Sequence, residues 1–410
     1  MYLCSVKLRH VMEDQERALK LATEAGHILL ENGAEISRVE DTMQHIASVY
    51  GVEDENFFVL SNGIISTGKN FARAEHIPIK GMQLSRVVEV NQISRDLSDR
   101  PMPLDELERR LQAVRMAKGK PWWELILGTA FGVAAFCIIF GGSFLDAAAT
   151  FVCGLLLGAF MTFVGPHMSR LMGNFTGGLV GGLLCILAYQ LFPSTLHLPN
   201  MIIGTIIALV PGVPFTNGMR DIANEAYIAG TTRLIDAFLA FLGIAFGVSV
   251  ALVLHGGIMG AILQLGSPET DAVTSHWAIQ LASAFVGTVG FAVIFGVPRR
   301  YYLDSGLTGM LGWGMFLLTG SVFLGALLVG IVSYFQAWLR RCPVTVFLVC
   351  GIIPLVPGGG IFWTAYHLVA NHLRLAATTG FVAVKVTVAI AAAIVIAAAL
   401  YNFTKRLKKK

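Results

Sequence analysis

An apolar run beginning near Met201 is interrupted by Pro211, Gly212 and Pro214, and a polar stretch carrying Arg220, Asp221 and Glu225 follows at once. The Leu-Val-Pro-Gly of this break (Leu209–Gly212) returns at Leu355–Gly358. Proline lacks the helical N–H and collides with the preceding turn, so each break frees backbone carbonyls. Within a bilayer such backbone is tolerated only where protein or a watery cavity covers it. Two interrupted helices, one per half of a chain, point to the binding site of a secondary transporter.

The composition supports a membrane setting. Only 14% of residues are charged, against roughly 25% in soluble domains. Glycine is abundant at 44 residues, as close packing of membrane helices requires. Cys4, Cys137, Cys153, Cys185, Cys342 and Cys350 show no CxxC pairing, so neither a disulfide frame nor a metal site is expected. No cofactor is implied. The net charge of +4 comes partly from Lys405–Lys410, a tail suited to anionic lipid and not to nucleic acid. Residues 1–120 contain no apolar core with a cleavage site, so no signal peptide is expected.

Residues 1–120 read as a small α+β domain. Helices are expected at 12–32, closed by Asn32-Gly33, at 36–50, and around 85–99 and 104–118. Phe57–Thr67 and Ala72–Lys80 read as two strands, with Asn62-Gly63 as a turn. Gly63–Asn70 nearly matches a phosphate-binding loop, but Asn70 stands where Ser or Thr must hold magnesium, so ATP binding is not expected.

From Leu125 the chain changes character. Runs of spanning length, nearly free of charge, occupy about 124–142, 147–165, 175–192, 200–212, 237–257 and 277–297, and further runs follow at 343–357 and 378–402. Ser305–Leu339 is uncharged over 35 residues, roughly 53 Å as one helix, so it reads as two spans turning near Gly320. Ten spans place Arg170, Arg220 with Arg233, Arg299-Arg300, Arg340-Arg341 and the tail together in the cytoplasm. The two breaks then fall in spans four and nine, the parity of an inverted 5+5 repeat. A second echo, Phe163–Pro166 against Phe295–Pro298, has a different offset. The expected architecture is mainly α: a polytopic membrane protein of about ten transmembrane helices in a 5+5 repeat, with halves at 121–260 and 272–404.

Candidate site residues cluster at the breaks. Pro211, Gly212, Pro357, Gly358 and Gly359 would shape a pocket. Asn217, Arg220 and Asp221 would line its floor, Arg220 meeting a substrate carboxylate with two parallel N–H donors; a solvated loop helix is the competing reading. Asp236 and Lys385 read either as a structural pair or as a proton or substrate relay, since a lone charge at mid-helix costs about 2.5–3.5 kcal/mol. His367 could carry protons. Asp146 and Glu124 read as interfacial. No HExxH, GxSxG or Cys/His cluster occurs, so no catalytic residues are assigned and an enzyme is not expected.

These residues resemble the threonine/serine exporter family, whose paired-gene relatives include a dicarboxylate (succinate) exporter. The resemblance rests on Asn32–Met43 with Tyr50-Gly51, on Pro211-Gly212 through Asn217, on Arg220-Asp221, Gly230 and Arg233, and on Pro354–Gly359. This chain has Glu225-Ala226 where the family pattern has Gly-Asp, and Phe362 where it has tyrosine. The resemblance implies a cytoplasmic N-domain, a multi-pass cytoplasmic-membrane protein with both termini inside, and export of threonine, serine or a small carboxylate linked to protons. A non-transporting membrane sensor and a homo-oligomer remain open at this stage.

Overall fold

The structure is a computed structural model that describes residues 2–52, 56–68, 71–78, 81–259 and 271–407. The chain divides into two units: residues 1–119 with 217–234 and 340–343, and residues 120–216 with 235–339 and 344–410. The soluble-looking segment expected at 1–120 is therefore joined by two later stretches.

In the first unit, α1 (Tyr2–Glu31) and α2 (Ile36–Val49) are separated by a tight turn. Gly33 there adopts φ +85°, a left-handed conformation that glycine takes without strain. Gly33 N–H reaches Leu30 O at 3.2 Å and Ala34 N–H reaches Leu29 O at 3.0 Å, closing α1 as its sequence predicts. The expected strand Phe57–Thr67 is instead a hairpin, β1 (Asn56–Leu60) and β2 (Gly63–Gly68), turning over Ser61-Asn62. The Asn62-Gly63 turn signal outweighs the continuous β-propensity around it. β3 (Phe71–His76) completes an antiparallel sheet of order β1-β2-β3. Gly63–Gly68 is thus a strand and not a phosphate-binding loop; Lys69 and Asn70 lie outside the described residues. Ile64 and Ser66 on β2 face α1, where Thr23 Oγ1 lies 3.0 Å from Ser66 Oγ. α3 (Leu84–Asp99) and α4 (Leu104–Met116) follow.

The later helices, in order, are α5 (Trp122–Ile139), α6 (Phe144–Phe163), α7 (Arg170–Leu191), α8 (Leu198–Ile206), α9 (Gly212–Ala223), α10 (Tyr227–Met259), α11 (Trp277–Ile294), α12 (Tyr302–Thr319), α13 (Val322–Arg340), α14 (Thr345–Ile352), α15 (Gly358–Val369) and α16 (Leu373–Leu407). Among the described residues, seven of these are long and apolar enough to cross a membrane, and nine if the bent pairs α8–α9 and α14–α15 each make one span. Length and apolarity thus carry seven to nine spans where the sequence suggested ten. The helix short of the count is α12, in which Asp304 and four glycines dilute an otherwise spanning segment.

Glycine sets the packing of the second unit. A Cβ added at Gly290 of α11 would lie 2.7 Å from Gly128 O and 2.9 Å from Gly132 Cα of α5, so the two backbones touch. Further along, Gly287 packs on Phe136, and Phe136 meets Phe291 edge-on with ring centroids 5.4 Å apart. Successive partners run in opposite directions, so α5 and α11 are antiparallel. The segments are also related in sequence: Leu145-Asp146, Thr150 and Gly154 of α6 recur as Leu303-Asp304, Thr308 and Gly312 of α12, each pair separated by 158 residues.

Candidate functional site

The two helix breaks share one backbone design. A 3-10 turn precedes each, Ile207–Leu209 before the first and Ile353–Leu355 before the second. Pro211 has no N–H to give Ile207 O, and Val210 N–H takes that carbonyl at 3.1 Å; Val356 N–H takes Ile353 O at 3.1 Å in the second break. Gly212 N–H then bonds Val210 O at 2.8 Å, and Gly358 N–H bonds Val356 O at 2.8 Å. These three-residue turns over Pro211 and Pro357 redirect the chain by 56° and 47°. Local pairing thus absorbs part of what proline takes away.

The breaks meet. A Cβ at Gly212 would lie 2.5 Å from Ile353 Cδ1, and one at Gly358 would lie 2.8 Å from Ile207 Cδ1. Both contacts join residues at equivalent positions, because Pro211 and Pro357, Gly212 and Gly358, and Ile207 and Ile353 are each 146 residues apart. Gly359 faces Ile203 of α8. A shared apolar core of α8 residues Met201, Ile202, Ile203 and Ile206 with Phe362 and Tyr366 of α15 holds the two broken helices together. Pro211, Gly212, Pro357, Gly358 and Gly359 therefore lie where the two broken helices pack on each other.

Asn217, Arg220 and Asp221 belong to the first unit. Arg220 and Asp221 are 6% and 0% exposed, so α9 is not a solvated loop helix there. Arg220 forms an ion pair with Glu35, which also binds Arg38 Nη2 at 3.0 Å. Asp221 binds Arg233 Nη1 at 2.5 Å and accepts Ile36 N–H at 2.9 Å. Arg233 Nη2 donates to Ala34 O at 2.9 Å, and Asn217 Nδ2 donates to Gly33 O at 2.7 Å. The Gly33 turn leaves two carbonyls and the first N–H of α2 facing the α9 segment. Asp221 supplies that helix N-terminus with the acceptor its own residues lack. Burial opposes the charge on Glu35, but the Arg220 and Arg38 guanidiniums outweigh it and hold its carboxyl below the ordinary glutamate range. Glu40 nearby is pushed up, first by its burial, despite a bond from Val59 N–H.

Other expected residues lie apart. Asp236 on α10 and Lys385 on α16 are both exposed, and no ion pair joins them among the described residues. Each sits in an outward apolar face, beside Ile235 and Phe238 or Val382 and Val384, so the expected pair is not formed. His367 is half-buried, packed against Trp363 and Tyr366 with ring centroids 5.7 and 5.4 Å away. Its Nδ1 has no hydrogen-bond partner among the described residues. Asp146 and Glu124, expected at the interface, are 0% and 7% exposed. Glu124 is paired with Arg299, and Asp146 binds His197 at 2.9 Å.

Comparison with known proteins now bears on these features. Residues 20–255 match the ThrE family and residues 280–400 match ThrE_2, described as threonine/serine exporters. The chain belongs to the threonine/serine exporter family. The threonine/serine exporter of Corynebacterium glutamicum is 22% identical over 92% of this chain and 81% of its own length. A Mycobacterium tuberculosis relative named for the same activity is 21% identical over 87% of this chain and 70% of its own. YjjP of Escherichia coli, a subunit named for succinate transport, is 23% identical over 60% of this chain and 97% of its own. No solved structure matches. With this family and its apolar helices, the chain is a multi-pass membrane protein.

The sequence reading did not find the Glu35–Arg220 and Asp221–Arg233 pairs, although all four residues fall within the stretches that carry the family resemblance. It also missed Ile207 and Ile353, whose equal spacing from their Pro-Gly breaks was the available signal.

Proposed function

We propose that the chain is a secondary transporter that exports small amino acids, threonine or serine, across the cytoplasmic membrane, driven by the proton gradient. One observation carries this reading: two helices broken by the same backbone motif pack on each other through residues at equivalent positions. Backbone left partly unpaired at membrane depth is how transporters of this kind build a site for a polar solute. Family membership and the names of the Corynebacterium and Mycobacterium relatives favour hydroxyl amino acids as the cargo. The antiparallel α5–α11 contact and the 158-residue echo between α6 and α12 support ten spans in an inverted 5+5 arrangement, with α12 as a span and both termini cytoplasmic.

Arg220 takes the substrate carboxylate in this reading, with Asn217 and Asp221 on the amino or hydroxyl side. Its bond to Glu35 supports the assignment, because the guanidinium already holds a buried carboxylate supplied by the chain itself. Substrate entry then means exchange of one carboxylate for another. The YjjP relative motivates a second reading, a dicarboxylate cargo.

Efflux of labelled threonine and of labelled succinate from loaded cells separates the two. Threonine efflux that collapses with the proton gradient and falls in Arg220→Ala at normal expression is expected. Full threonine efflux in that variant would overturn the Arg220 assignment, and succinate efflux without threonine efflux would overturn the cargo.

A further inference from the structure

At the head of the first broken helix stands a carboxylate–imidazole pair to which no role has yet been given. Asp146 closes the first turn of α6 in a capping box, its Oδ2 accepting Ser143 N–H and Ser143 Oγ–H, each at 2.8 Å. The same carboxylate accepts His197 N–H at 2.7 Å on Oδ1 and lies 2.9 Å from His197 Nδ1. Three backbone and hydroxyl donors thus converge on the carboxylate, with the imidazole beside them. His197 is the residue that caps the start of α8, ten residues ahead of the Ile207 turn. The side of α6 is thereby clamped to the beginning of the helix that breaks at Pro211.

The two partners differ in access to water. Asp146 is fully buried, whereas the His197 side chain is 38% exposed. When both ring nitrogens carry protons, the Nδ1 contact with Asp146 becomes an imidazolium–carboxylate pair in place of a neutral hydrogen bond. A second acid lies within electrostatic reach of the ring: Asp271, on the segment leading to α11, is anchored by its N–H to Gly141 O at 3.0 Å. Its carboxyl is held below the ordinary aspartate range, chiefly by Thr274 N–H, with the charge of His197 contributing last. α8 itself carries no charged residue, and Cys137 of α5 faces Asp146. Among the described residues, His197 thus has one acid in contact and a second in electrostatic reach, contributed by different elements. The second half keeps the aspartate, Asp304, but has Pro343 at the 146-residue counterpart of His197. The imidazole is a feature of one half only.

We propose that His197, held by Asp146, is a proton-binding site of the transport cycle, whose protonation clamps the broken helix α8 to α6 and whose deprotonation loosens it. The proposal rests on the exporter reading for its place in the cycle, but the clamp can be measured without any flux. The sign follows from the pair: the added attraction is complete below the titration of the imidazole and is lost as pH rises through it.

The test is hydrogen exchange of the full chain in lipid nanodiscs, read on α8 peptides at pH 5.5 and pH 8 and corrected for intrinsic rate. In the wild type, α8 exchanges about fivefold more slowly at the lower pH, the worth of a half-exposed ion pair. His197→Gln keeps a donor to Asp146 but cannot take a second proton, and the corrected ratio becomes one. Peptides of α13, remote in sequence from the clamp, serve as the control. A wild-type ratio of one, or an unchanged ratio in His197→Gln, overturns the proposal. Threonine flux in proteoliposomes is measured alongside. If the wild type carries no threonine but keeps the α8 ratio, the exporter reading fails and the proton clamp survives. If the wild type transports and His197→Gln keeps the same pH profile of flux, the clamp has no place in the cycle.

Discussion

Replacing Asp221 by asparagine tests how firmly the buried charges tie the α9 segment to the Gly33 turn. Asp221 is 0% exposed and its partner Arg233 is 5% exposed at the side chain, with 2.5 Å between them. Asparagine keeps the shape and the acceptor for Ile36 N–H but leaves Arg233 without its counter-charge. An uncompensated buried charge costs about 3–5 kcal/mol, a large share of a net stability of about 5–15 kcal/mol. If the segment opens locally, that loss raises amide exchange of residues 34–39 by about a hundredfold to a few thousandfold, at roughly 1.4 kcal/mol per tenfold. The double variant Asp221→Ala with Arg233→Met removes both charges and instead leaves Ile36 N–H and Ala34 O without their partners, about 1–3 kcal/mol each. It should therefore be less damaging than the sum of its singles by about 2 kcal/mol or more, the mark of a direct coupling. Hydrogen exchange by mass spectrometry on the purified full chain reads all four variants, Asp221→Asn, the double variant and its two singles. Protection of residues 34–39 within threefold of wild type in Asp221→Asn, roughly 0.6 kcal/mol or less, would refute the reasoning.

Other expectations follow from the same geometry. Because the folded Glu35 carboxyl lies below its ordinary range, its stabilisation is complete above the unfolded value near pH 4.3 and is lost as pH falls through the lower folded value; thermal scans should show this acid loss, reduced in Glu35→Gln. Gly290→Val would force α5 and α11 apart, where even one Cβ lies 2.7 Å from Gly128 O; the expected destabilisation of about 1–3 kcal/mol appears as a lower melting temperature in detergent. Gly212→Ala pushes a methyl to 2.5 Å from Ile353 Cδ1, so export should fall in that variant and recover when Ile353→Val is added, as measured by threonine efflux at matched expression.

What could be read in the sequence was whatever local chemistry decides. The Pro-Gly breaks, the Gly33 turn and the amphipathic α1 and α2 announce themselves because proline, glycine and helical periodicity act over a few residues. The span from Phe57 to Thr67 misled because β-branched and aromatic residues lie on both sides of Ser61-Asn62, the two-residue turn that reverses the chain. Glu35 with Arg220 and Asp221 with Arg233 were illegible as pairs, since 185 residues separate Glu35 from Arg220 and neither periodicity nor propensity reports such contacts. Asp146 looked interfacial by its place at a helix start; only the fold brings His197 to it. Asp236 and Lys385 looked like partners by charge alone, and their outward faces decide otherwise.

The reciprocal contact between the breaks has a consequence for how the chain could be divided. Gly212 rests on an isoleucine from the later half and Gly358 on one from the earlier half, so neither half owns a finished interior. Cutting the polypeptide beyond α10 would yield two fragments, each exposing an apolar seam that only the other can cover. Co-expressed, such fragments should reassemble; expressed singly, each should be degraded.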